Sequence, residues 1–151
     1  MTPEQDRLLR ESWRAIEPRR EEVAASFYRL LCELHPDAGA RFGGTDDCEC
    51  RRRQGELAEM VREVVVGRDD PRQLVRAAVA LGRRHATYGL RDEHYHAVGV
   101  ALVRAIERVL GPAAFTPEVR AAWTEAYALL SAIMRRSVSA EIPKFVGTFA
   151  P

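Results

Sequence analysis

Apolar positions recur at intervals of three and four along nearly the whole chain, the period of amphipathic helices rather than the alternation of strands. Leu8, Leu9, Trp13 and Ile16 form one stripe behind Thr2-Pro3, a cap residue followed by proline at the first helical position. Pro18 ends or bends that helix. Val23, Phe27, Leu30, Leu31 and Leu34 form a second stripe, closed by His35-Pro36 because a residue before proline avoids the α region. From Asp37 to Cys50 the chain is glycine-bearing and acidic around Arg41-Phe42, which predicts a loop with one helical turn. Leu57, Met60, Val61, Val64 and Val65 predict the next helix, stopped at Gly67 and followed by Asp69-Asp70-Pro71. Leu74, Ala78, Leu81 and His85 then share one face, with Gly89 as the stop. Asp92 is expected to cap a further helix carrying Val98, Leu102, Ile106 and Val109 inward, ended by Gly111-Pro112. Thr116-Pro117 opens a long helix through Trp123, Tyr127, Leu130, Ile133 and Met134, and the tail from Pro143 reads as irregular.

The expected class is all-α, with six to eight helices packed on one another. Val64-Val65-Val66 makes no strand, because it lies inside a helical period. No repeat or internal linker breaks the pattern. Residues 1–151 are therefore expected to form a single domain, its core running from about 3 to 141 ahead of a short irregular tail.

Charge narrows the partners. A net charge of +1 gives no electrostatic case for nucleic acid, and the run Arg51-Arg52-Arg53 reads as a solvated helix start. The polar opening TPEQDR lacks a signal-peptide pattern, and no apolar run approaches the roughly 18 residues of a membrane span. A cytoplasmic protein, not associated with a membrane, is expected. Cys32, Cys48 and Cys50 do not form a secreted disulfide framework. A metal site of Cys48, Cys50 and His35 lacks a fourth ligand and standard zinc spacing.

His85 carries the candidate chemistry. A histidine ending an apolar stripe is ordinarily a packed core residue, yet neutral imidazole on an inward helix face also suits haem iron. Its neighbours bear on the choice. Ser12-Trp13, Phe27-Tyr28, Phe42, Leu57, RRHATYG (83–89), EHYHAVG (93–99) and AWTEAY (122–127) together resemble the globin family. More narrowly, they are similar to bacterial single-domain globins and the haem domain of flavohaemoglobins, over about residues 3–141.

That resemblance implies a globin fold around haem b, with His85 as the proximal iron ligand. It implies that Phe42 stacks on the porphyrin, that the Tyr28 hydroxyl faces the iron-bound ligand, and that Leu57 and Val61 lie over the iron. Leu81 and Val98 complete the lining. Four residues before Leu57 stands Arg53, where the family often has Gln or His; a shift of one residue would bring in Gln54 instead, and both stay candidates. Tyr95 matches a tyrosine that joins a glutamate in bonding the proximal histidine, and Glu141 is the matching glutamate. His94 and His96, flanking Tyr95, are expected at solvent-facing positions.

The activity implied is reversible binding of dioxygen or another diatomic gas, with nitric oxide dioxygenase chemistry using Tyr28, Tyr95 and Glu141. No flavin or nicotinamide segment is expected before the chain ends at Pro151, so a separate reductase is the implied partner. A gas sensor acting through a partner protein and a haem-free helical adaptor are the competing classes.

Overall fold

Helix α1 (Pro3–Ile16) begins where the sequence puts its cap. Thr2 Oγ1 accepts from the Gln5 N–H at 3.1 Å and Gln5 Oε1 accepts from the Thr2 N–H at 2.8 Å, a reciprocal capping box. The computed structural model describes the backbone of residues 1–42 and 47–139 and the side chains of 1–42 and 51–139. Every regular element among the described residues is helical. The expected all-α class stands, and the irregular tail lies outside the described residues.

Pro18 bends the chain rather than stopping it. It sits in one 3₁₀ turn, Glu17–Arg19, and α2 (Arg20–Leu34) follows directly. Val23, Phe27, Leu30 and Leu31 are buried as expected, but Leu34 is 43% exposed. It is the last residue of α2, so no further helical turn stands beside it.

The stretch expected to be a loop contains a second correction. Helix α3 (Pro36–Phe42) follows α2 after His35 alone. Proline at its first position loses no hydrogen bond. The His35 ring accepts the Ala38 N–H through Nδ1 at 3.2 Å, and the His35 carbonyl accepts the Gly39 N–H at 3.0 Å. Ala38 and Phe42 are the apolar residues this short helix buries.

Helix α4 (Asp47–Val66) starts well before the Leu57 stripe and ends in a 3₁₀ turn, Gly67–Asp69. Asp70 then caps α5 (Pro71–Thr87), its carboxylate accepting from the Arg72 and Gln73 N–H groups. Two ion pairs, Arg10–Asp69 at 2.9 Å and Arg68–Asp6 at 2.5 Å, tie this corner to α1.

Gly89 ends the α5 segment at φ 72°, a left-handed conformation that costs glycine little. The Arg41 guanidinium of α3 donates there to the Gly89 carbonyl at 2.8 Å and to the Tyr88 carbonyl at 3.4 Å. Helix α6 (Asp92–Leu110) follows, with Arg91 and not Asp92 in the cap position. Instead of an acidic cap, the His94 ring accepts the Arg91 N–H through Nδ1 at 2.8 Å. Gly111, at φ 80°, ends α6, and Thr116 opens α7 (Pro117–Ser139).

Helix α2 packs along α6 and α5 along α7, with α1 also against α7. A Cβ at Gly82 would meet the Met134 carbonyl at 2.8 Å, so α5 and α7 approach to backbone contact there. Leu9, Phe27, Leu31 and Ile106 lie at the centre of the core. The Trp123 indole N–H, buried between α7 and α1, donates to the Ser12 hydroxyl at 2.9 Å. Among the described residues no helix is long and apolar enough to cross a membrane.

Candidate functional site

The last turn of α5 carries His85, with only 9% of the residue exposed. It borders a mainly apolar cleft of about 700 Å³, open solvent included. Six helices contribute. Tyr28 comes from α2, Phe42 from α3, Arg53, Leu57 and Met60 from α4, Leu81 from α5, Val98 and Leu102 from α6, and Tyr127, Leu130 and Met134 from α7.

Aromatic rings converge on the histidine. The Phe42 ring stands edge to face with His85, centroids 5.2 Å apart and planes at 75°. Tyr28 meets Phe42 at 6.5 Å and 64°. Behind the cleft, Tyr95 stacks on the imidazole at 6.3 Å and 29°.

Burial keeps this imidazole neutral. Desolvation, and then the Arg84 cation, push its pKa down to about 4, while the Leu81 carbonyl one turn earlier opposes the fall. Nδ1 is buried and has no partner at hydrogen-bond geometry. A desolvated, neutral ring at the edge of an apolar cleft is a side chain equipped to ligate a metal. A flat, mainly apolar cofactor with a metal centre, such as haem, fits this donor set and lining.

Arg53 and Gln54 separate clearly in position. Arg53 lines the cleft, its guanidinium 5.1 Å from the Tyr88 ring centroid and donating to the Phe42 carbonyl, whereas Gln54 is absent from the lining. The Tyr28 hydroxyl donates to the Arg53 carbonyl at 3.3 Å. At the mouth, Glu56 pairs with Arg52 at 2.8 Å and Arg84 at 3.6 Å.

Other residues fall elsewhere. Met60 lines the cleft, while Val61 turns into a smaller hollow against Trp123 and Ala126. Tyr95 supports His85 from outside the cleft, and Glu141 lies outside the described residues. Tyr88, Met60 and Arg84 also line the cleft, although they are not among the site residues expected from the sequence. Tyr88 has a visible signal, since it stands three residues after His85 at the end of the same helix.

His94 is a correction. It is fully buried, not solvent-facing, while His96 is exposed. Its Nε2 lies 2.7 Å from Asp37 Oδ2, a partner from α3 that the period of α6 cannot reveal. His35, Asp37 and His94 bring one possible ligand atom each within 4.8 Å of one another. Both histidines accept a backbone N–H at Nδ1, which places the ring proton of each neutral imidazole on Nε2. Arg41, at 3.2 Å, and Arg91, at 3.9 Å, also neutralise Asp37. The cluster therefore ties α3 to α6 and does not suit a cation. The side chains of Cys48 and Cys50 lie outside those described, and with them the cysteine site weighed from sequence.

Comparison with known proteins places this arrangement. A sequence model of the family described as Globin matches residues 25–134. Flavohemoproteins from Bacillus cereus (strain ATCC 14579), Bacillus thuringiensis subsp. konkukian and Bacillus anthracis are each 32% identical to the chain over 110 residues. The match covers 73% of this chain and 26% of each relative, so the chain spans about a quarter of their length.

Proposed function

Because the chain belongs to the globin family, a family of haem-binding proteins, we propose that its cleft holds haem b on His85 and keeps a small diatomic ligand beside Tyr28. The observation that carries this is the neutral, desolvated imidazole, packed between Phe42 and Tyr95, at the edge of an apolar cleft. When bound, haem supplies an iron centre that takes dioxygen or another diatomic gas and changes oxidation state.

The chain's own residues do the rest. His85 ligates the iron, and Tyr95, stacked behind it, fixes the ring plane. Phe42, which lines the cleft beside His85, would help hold the cofactor. Leu57, Leu81 and Val98 exclude water from it. The Tyr28 hydroxyl exchanges its 3.3 Å bond to the Arg53 carbonyl for a ligand acceptor, and so holds a ligand bearing partial negative charge. Arg53 adds a cation to the same wall.

This donor set suits retention of dioxygen for reaction with nitric oxide, giving nitrate with uptake of one electron. The name flavohemoprotein joins haem to flavin in the relatives, and a flavin-dependent reductase is the matching electron source here. Rapid mixing of the oxygenated protein with nitric oxide tests the activity. Stoichiometric nitrate is expected, and its absence would reduce the assignment to gas binding alone.

A further inference from the structure

Behind the histidine lies a second hollow, a groove of about 1130 Å³, open solvent included, between α6 and α7. Cationic side chains stand at both of its ends. Arg104 of α6 and Arg120 of α7 mark the end near the α6–α7 turn, and Arg135 marks the other, 6.0 Å from the Tyr95 ring centroid. Along α6 the distance from Tyr95 to Arg104 is about 13 Å at the helical rise of 1.5 Å per residue.

Acids compensate this charge only partly. Glu107 pairs with Arg120 at 2.6 Å, and Asp92 borders the Tyr95 end. Among the described residues neither Arg104 nor Arg135 has a carboxylate within ion-pair distance. Between the ends the walls mix apolar and hydroxyl groups, with Val100 and Tyr127 on one hand and Thr124 and Ser131 on the other. Tyr127 also lines the cleft, so the two hollows share a wall.

We propose that this groove is a second binding site, for a small elongated dianion with an acidic group at each end. One acidic group pairs with Arg104 beside Arg120, and the other pairs with Arg135. The guanidinium fork suits carboxylate and phosphate alike, and cations at opposite ends of the groove favour an elongated dianion over a compact one. A single compact anion reaches only one end. The site makes no demand on what the cleft contains, so it stands or falls separately from the haem assignment.

Calorimetric titration of the full chain at low ionic strength tests this, with decanedioate as probe and butanedioate and decanoate as controls. Decanedioate is expected to saturate one site, with the short dianion and the monoanion each weaker by about tenfold or more. Arg104→Ala and Arg135→Ala should each weaken decanedioate by about tenfold, while Arg108→Ala, exposed on α6 outside the groove, should leave it unchanged. Circular dichroism checks that each variant folds, and the neutral Arg104→Gln and Arg135→Gln replace any alanine variant that does not. Absence of saturable binding, equal affinity for decanoate, or affinity indifferent to both groove arginines would overturn the site.

Discussion

Phe42 and His85 meet edge to face at 5.2 Å, although they come from helices that do not adjoin in sequence. Phe42 reaches this position because α3 is clamped at two points. Asp37 binds His94 at the start of α6, and Arg41 binds the carbonyls that end α5.

Phe42→Ala removes a buried ring from both core and cleft. A stability loss of about 3 kcal/mol is expected in urea unfolding of the haem-free protein. Haem release should also quicken by about tenfold or more. A change under about 1 kcal/mol would show that the α3 position matters little.

Tyr28→Phe keeps the ring contacts with Phe27 and Phe42 but loses the hydroxyl. Dioxygen release, followed by stopped flow, should speed up about tenfold, the worth of a hydrogen bond of about 1.5 kcal/mol to a polarised ligand. An unchanged off-rate would exclude Tyr28 as the donor.

Gly89→Ala strains the backbone at φ 72° and puts a methyl 2.5 Å from an Arg41 guanidinium nitrogen. Destabilisation of about 1–2 kcal/mol is expected from the conformation alone, read as a lower thermal midpoint. Arg41→Ala in the Gly89→Ala background relieves the contact but also removes the bonds to the Tyr88 and Gly89 carbonyls, so the double variant should stay less stable than wild type.

Asp37 sets an acid-side prediction. Hydrogen bonds from His94 and then Arg41 hold its carboxyl below its ordinary value. A depressed carboxylate stabilises the fold fully above the pH where the unfolded group titrates, and loses that contribution as pH falls through the folded value. Wild type and Asp37→Asn should therefore differ in urea midpoint at neutral pH and converge as pH falls below about 4. Parallel curves across that window would remove Asp37 as a source of acid sensitivity.

Much of the fold is legible in the order of residues along the chain. Thr2-Pro3, Asp70-Pro71 and Gly111 announce helix ends because caps and proline act locally. Tyr28, Phe42, Leu57 and His85, grouped by resemblance, do converge on one cleft. What escapes a reading of the sequence is non-local or short. A seven-residue α3 that buries Ala38, Gly39 and Phe42 is too short to show a period. His94 looks exposed on its own helix but is buried, its Nε2 on Asp37 of α3 and its ring against His35. On α4 the cleft takes Leu57 and then Met60, leaving Val61 one position round the helix, a choice that apolarity alone does not make.

The central claim is that His85 ligates haem iron, and replacing it with glycine tests this most directly. Ferric and ferrous absorption spectra of haem-loaded wild type should show a histidine-ligated Soret band. His85→Gly should lose that signature or the haem itself, and added imidazole should restore it by filling the vacated space. A His85→Gly protein that keeps the wild-type spectrum without imidazole would contradict the account.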